Sequence, residues 1–139
     1  AESCTGGLIA NKLTNMPGSS EYFERGVIAY SNEAKISLLD VSPNIIEKHG
    51  AVSSETAIAM AEGIRWIAQT SFGLAVTGIA GPSGGIPTKP VGLVYIALAS
   101  DQAATQWKKC LFSGDRLSIK NRAAQTALDM LRHQLLAEK

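Results

Sequence analysis

The sequence predicts an α/β fold, a three-layer α/β/α arrangement in which helices cover both faces of a mixed sheet. Two patterns carry that reading. Short β-rich runs alternate with helix-patterned segments through the first half of the chain. Further on, the strand-length runs GLVYIALAS and TQWKKCLFS follow one another across the short turn SDQAA, which reads as a hairpin. At 139 residues the chain is long enough to bury its own core, so residues 1–139 are expected to form one domain. Hydrophobic residues at 45% and charged residues at 18% fit a well-packed globular protein.

Each element has a local justification. From Gly6 to Met16, the apolar residues Leu8, Ile9, Leu13 and Met16 lie close to one helical face, and Pro17-Gly18 stops the helix. Ser19 or Ser20 can cap a short turn that runs toward Gly26. VIAY, Val27 to Tyr30, has the length and composition of a buried strand. Asn32 is expected to cap the helix EAKISLLD. Ser42 as cap, Pro43 at the first helical position and Gly50 beyond the end define another helix. Ser53 opens the long helix SETAIAMAEGIRWIAQTS, with Glu55 favourably placed in its first turn. GLAVTG is the next strand. Lys108-Lys109 interrupts the last strand, which marks it as a sheet edge. The amphipathic LSIKNRAAQTALDMLRHQLLAE closes the chain as a helix.

Composition excludes several roles. A formal net charge of +1 with no basic run argues against nucleic acid or a membrane surface as partner. Apolar runs are only strand-length, so no span of a bilayer is expected. Cys4 and Cys110 form no spaced framework and read as reduced thiols, consistent with a cytoplasmic location. An exposed edge strand on a small domain makes a homo-oligomer the expected state. The chain starts without Met and its most reactive residues come third and fourth. A frayed terminus cannot seat a nucleophile, so Ala1-Glu2 are expected to end a strand that begins upstream.

Two loops could carry chemistry. Gly78, Gly81, Gly84, Gly85 and Gly92 cluster with Pro82, Pro87 and Pro90 after the strand LAVT. The prolines stiffen that loop and the glycines let backbone approach a ligand, at the strand end where α/β sheets bind one. A stiff surface connection explains the composition equally well, and no Gly-Lys-Ser/Thr follows to make a Walker loop. The other candidate is SCTGG. At a strand-to-helix turn, the amides of Thr5, Gly6 and Gly7 would be unpaired donors, able to bind an anion or a developing oxyanion. The bland alternative is that Ser3 or Thr5 simply caps the helix, and Ala1 and Thr5 stand where a G-x-S-x-G elbow needs glycines.

A serine nucleophile needs a base. His49 and His133 both lie outside the glycine loops, which leaves a Ser-His-Asp triad poorly supported. Lys35, one turn into the helix after Tyr30, is the alternative. It would have to be neutral, which from a reference near 10.4 requires a fall of about three units, or roughly 4 kcal/mol against the charged form. Burial can supply part of that. Tyr30 could relay the proton or orient the serine. Cys4 is a second potential nucleophile, and Arg116 could fork onto a phosphate. No Cys/His/Asp cluster has metal-ligand spacing, and neither a metal nor another cofactor is expected.

Three stretches taken together, AESCTGG, GVIAYSNEAK, and VTGIAGPSGG followed by KPVGLVYIA, resemble the C-terminal domain of the competence/damage-inducible protein CinA. The likeness runs through CLFSGDR to the last helix, and the family includes stand-alone nicotinamide-nucleotide amidases. The resemblance implies hydrolysis of the carboxamide of nicotinamide mononucleotide to nicotinate mononucleotide and ammonia. It places the family's serine on Ser3, its tyrosine on Tyr30 and its lysine on Lys35. It also implies that Thr5, Gly6 and Gly7, the loop with Thr77, Gly78, Gly81 and Gly84, and Arg116 surround the nucleotide. Family members carry a helix and a strand before AESC, and this sequence shows neither. The rival readings are a non-catalytic nucleotide-binding or regulatory domain of a CinA-like protein, and a partner-binding domain of a longer chain.

Overall fold

The computed structural model describes residues 1–138. In chain order the elements are α1 (Leu8–Thr14), a 3-10 turn (Ser19–Glu21), α2 (Asn32–Leu39), α3 (Pro43–His49) and α4 (Ser54–Ala68). They are followed by β1 (Phe72–Gly78), β2 (Leu93–Ser100), β3 (Gln106–Leu111) and α5 (Arg116–Ala137). The fold is α/β with helices on both sheet faces, as the sequence predicts. The three strands form an antiparallel meander in the order β1-β2-β3. Parallel pairing is confined to single bridges made by Glu2, to Ile28 on one side and Val76 on the other.

The expected strand Val27–Tyr30 is therefore an extended segment with one bridge, not a ladder. Among the described residues its one bridging partner is Glu2, which also bridges Val76 on its other side. The caps also differ in detail from the sequence reading. Ser31, not Asn32, caps α2, its hydroxyl accepting from Ala34 N–H at 3.0 Å. Ser53 caps α4 and Asp115 caps α5 in the same way. Ser42 sits at the N-cap of α3 but its side chain accepts no capping bond, and Pro43 supplies the fixed helical φ.

Alternation along the strands divides the core in two. Val76, Val94 and Ile96 face α1 and α5, where Ile9, Ile119, Ala123 and Ala127 meet them. Ala75, Ala97 and Ala99 face the other way, against Met60, Ala61 and Ile64 of α4 with Leu39 and Val41 behind. Small residues on that face let α4 settle close to the sheet. β3 is the edge strand the lysine pair predicts, and Lys108 and Lys109 are both exposed on it, one toward each face. Among the described residues no helix is long and apolar enough to cross a membrane.

Gly63, in the middle of α4, is where α2 ends against that helix. A Cβ built there would lie 2.0 Å from the Leu39 carbonyl oxygen, so the backbones touch only because the side chain is missing. Helix propensity alone favours Ala over Gly by about 1 kcal/mol. We expect Gly63→Ala to destabilise instead, by about 1–3 kcal/mol, because the overlap must be relieved by moving backbone. Denaturant unfolding of the variant checks this, and a gain in stability would contradict the contact.

Candidate active site

The chain start threads between the 27–29 segment and β1. Glu2 N–H donates to Val27 O at 2.8 Å, Ala29 N–H donates to Glu2 O at 2.9 Å, and Ser3 N–H donates to Val76 O at 3.0 Å. This short clamp seats Ser3 at the C-terminal end of β1, with its side chain nearly buried at 7% exposure. Neither Ser3 nor Thr5 caps α1. That helix begins at Gly7 without a hydroxyl cap, and the Glu2 carboxylate accepts from Ile9 and Ala10 N–H instead. The Ser3 hydroxyl is thereby left to other partners.

Its partner is Lys35. α2 starts immediately after the 27–30 segment, and its second turn points Lys35 back under that segment. The amine lies 2.9 Å from Ser3 Oγ, 3.0 Å from the Ala29 carbonyl oxygen and 3.0 Å from the Tyr30 carbonyl oxygen. Lys35 is only 1% exposed. No carboxylate lies within hydrogen-bond reach of it among the described residues. Burial without a counter-charge pushes the Lys35 pKa down from the ordinary lysine value. A neutral amine has two N–H groups for the two carbonyls and one lone pair for the serine hydroxyl proton, so the geometry matches a Ser-Lys acceptor pair.

Cys4 stands beside this pair, buried at 6% exposure within the apolar cluster that contains Ile9 and Val76. Burial pushes its thiol up to about 11. A thiol held that far from ionisation is a poor source of thiolate, and it is the Ser3 hydroxyl that is in contact with the Lys35 amine.

Ser3, Cys4 and Lys35 form the floor of a pocket of about 190 Å³, with Tyr30 and Arg116 on its walls. Thr77 and Gly78, at the end of β1, complete one side. The Thr77 hydroxyl donates to Ala51 O at 2.8 Å, which ties the strand to the loop between α3 and α4. The Arg116 guanidinium donates to Gly81 O at 2.6 Å and to the Tyr30 hydroxyl at 3.1 Å. It therefore braces the glycine loop against the wall. The loop is closed at its base where Gly92 N–H donates to Ile79 O at 2.7 Å, and Gly92, at φ 94°, has no room for a Cβ beside Phe112 O. Lys89, further along it, donates to His49 O at 2.6 Å.

Several expected residues occupy other places. The Tyr30 hydroxyl reaches Arg116, and it is the Tyr30 carbonyl that touches Lys35, so the side chain is not in line for a proton relay. Thr5, Gly6 and Gly7 line a neighbouring cleft between α1 and α5, not the Ser3 pocket. The Gly6 amide is already bonded to Ser3 O, at 3.1 Å, because the turn closes on itself. Gly84 is exposed on the loop, outside the pocket lining. Neither His49 nor His133 lines the pocket. They pair with Glu55 and Asp129.

The pocket also contains Asn32, Ala51, Val52 and Ala80, none of them candidates from sequence. Ala51 and Val52 are apolar loop residues, and no spacing rule links them to Ser3. No capping rule in the sequence marks Glu2 either, since its carboxylate accepts from Thr5, Ile9 and Ala10, three, seven and eight residues further on.

Comparison with known proteins agrees with this architecture. A family model described as the CinA C-terminal domain matches residues 1–135. A CinA-like protein of Kosmotoga olearia is 56% identical over 136 residues, 98% of this chain and 33% of its own length. The chain thus spans about a third of the curated relatives it matches. Among solved structures, the competence/damage inducible protein CihA from Agrobacterium tumefaciens superposes with a TM-score of 0.93 at 42% identity, covering 95% of this chain and 81% of that one. The competence damage-inducible protein A (ComA) from Klebsiella pneumoniae gives 0.92 at 34% identity, covering 97% and 83%. With the family model matching residues 1–135 and solved relatives sharing the scaffold at 34–42% identity, the chain belongs to the CinA C-terminal domain family.

Proposed function

We propose that the chain is an amidohydrolase that cleaves the carboxamide of nicotinamide mononucleotide by a Ser-Lys mechanism. The observation that carries this reading is the 2.9 Å contact between Ser3 Oγ and the buried, carboxylate-free Lys35 amine. The family resemblance of the AESCTGG and GVIAYSNEAK stretches supports the choice of substrate.

The proposed steps use the groups that line the pocket. Neutral Lys35 takes the Ser3 hydroxyl proton as Oγ attacks the carboxamide carbon. The tetrahedral oxyanion needs preorganised donors. In the turn after Ser3 the Gly6 amide is spent, while Cys4 N–H, next in the chain and part of the pocket lining, has no backbone carbonyl acceptor among the described residues and is the donor we assign. Collapse of the intermediate expels ammonia, which receives its proton from Lys35, and leaves an ester on Ser3. Water then adds to that ester with Lys35 as base, releasing the carboxylic acid and restoring the hydroxyl. Tyr30 forms a wall of the pocket, and Arg116 presents its remaining donors at the mouth, suited to an anionic group on the substrate.

The decisive experiment is ammonia release from nicotinamide mononucleotide. We expect Ser3→Ala to lose at least ~1000-fold in kcat and Lys35→Met a loss of the same order, since paired nucleophile and base act as a unit. Cys4→Ala should stay within about tenfold of the parent, because its buried thiol is not ionised in this pocket. Binding of the nucleotide without turnover by the parent chain would instead support a non-catalytic nucleotide-binding domain.

A pH profile tests the lysine separately. Lys35 is active only when neutral, and its native pKa is lowered. The value of kcat/KM should therefore rise with pH through that lowered pKa and level off before the usual lysine value of 10.5. Stability follows the same sign. As pH falls from the usual value toward the native one, the unfolded chain takes up the proton first, so the Lys35 contribution becomes less favourable and is then constant below the native pKa. Lys35→Met should remove that slope from the pH dependence of the unfolding free energy. A profile without the rising limb would exclude lysine as the base.

A further inference from the structure

Glu2 is 4% exposed, and no step above uses it. Its carboxylate accepts three hydrogen bonds. Oε1 takes one from the Thr5 hydroxyl at 2.6 Å and one from Ile9 N–H at 2.9 Å, and Oε2 takes one from Ala10 N–H at 3.0 Å. Its backbone is tied to the 27–29 segment in both directions. The residue that precedes the nucleophile is thus anchored at once to α1 and to the segment whose Ala29 carbonyl holds the Lys35 amine.

Ser3 needs such an anchor. It sits between the two isolated bridges at Glu2 and a turn containing two glycines at positive φ, Gly6 at 60° and Gly7 at 102°. Isolated bridges at one residue have little of a ladder's cooperativity, and glycine turns have little intrinsic stiffness. α1 has no cap of its own at Gly7. Ala29 links the two halves of the pair: its N–H holds the Glu2 carbonyl, and its carbonyl holds the Lys35 amine.

We propose that Glu2 is a positioning residue, whose carboxylate locks the first turns of α1 onto the Glu2 bridge and so holds Ser3 Oγ at reacting distance from Lys35. Three donors converge on the group, and a carboxylate offers acceptors only. Glutamine in either orientation turns its amide nitrogen toward at least one backbone N–H of α1. The catalytic consequence rests on the reading of Ser3 as nucleophile and Lys35 as base. Misplacing a reacting group by about 1 Å costs on the order of a hundredfold.

The test compares parent, Glu2→Gln, Glu2→Ala and Thr5→Val, each well below its unfolding midpoint with folding checked by circular dichroism. The first readout is the labelling rate of Ser3 by phenylmethylsulfonyl fluoride, located by mass spectrometry. In that reaction the serine Oγ–S bond forms, the S–F bond breaks, fluoride leaves and Lys35 takes the serine proton. The second is the split of kcat against KM for nicotinamide mononucleotide. We expect labelling and kcat to fall by about tenfold or more in Glu2→Ala and by about threefold to tenfold in Glu2→Gln and Thr5→Val, with KM changed less than about threefold.

Labelling at the parent rate in folded Glu2→Ala overturns the proposal, as does a loss confined to KM. If Glu2→Ala does not fold, Glu2→Gln and Thr5→Val decide, and parent-like labelling in both overturns it. A parent that labels at Ser3 but leaves the nucleotide intact removes the substrate reading and leaves the positioning role to the labelling series. A parent neither labelled nor active overturns both.

Discussion

The arrangement depends on one buried amine. Among the described residues Lys35 has no counter-ion, and its amine meets three oxygens: the Ser3 hydroxyl and two main-chain carbonyls. An amine in that setting resists protonation, because desolvation penalises the charged form and nothing nearby compensates it fully. The two carbonyls belong to Ala29 and Tyr30, consecutive residues of the segment that also flanks Glu2. Much of the fold around the pocket can be understood as holding that segment still.

The means are local and short-ranged. Two bridges at Glu2 stand in for a strand ladder. Val41, at the end of α2, donates its N–H back to Lys35 O at 3.2 Å, which helps to seat the lysine turn. α4 packs on the sheet through alanines and on α2 through Gly63, so it links the helix that follows the 27–30 segment to the sheet. At the other side of the pocket, Arg116 and Lys89 hold the glycine loop at two points through carbonyl acceptors. Backbone groups recur as the anchoring partners, which constrains main-chain position more than side-chain identity.

Environment also separates the two adjacent nucleophiles. Ser3 and Cys4 are neighbours in sequence, but their side chains meet different surroundings. The serine faces the Lys35 amine, whose pKa burial lowers, and the cysteine belongs to the apolar cluster that includes Ile9, Val76 and the α5 alanines. A thiol is the stronger nucleophile only as its thiolate, and burial withholds that form here.

Much was legible in the sequence. Helical periodicity and capping residues placed α3, α4 and α5 because those signals act within one or two turns. The Lys108-Lys109 pair marked β3 as an edge because charge tolerates only a wet strand. Serine and lysine could be named as a potential pair from their chemistry and from the elements that carry them. What sequence could not contain was distance across the chain: the 32 residues between Ser3 and Lys35 are closed by tertiary packing. The same holds for the turn of Tyr30's hydroxyl toward Arg116, for the displacement of Thr5, Gly6 and Gly7 into the neighbouring cleft, and for Glu2 replacing a hydroxyl cap. Local composition determined which elements form and which groups can react. Tertiary structure decided which of them meet, because whether a buried group finds a partner depends on contacts between segments that no local rule encodes.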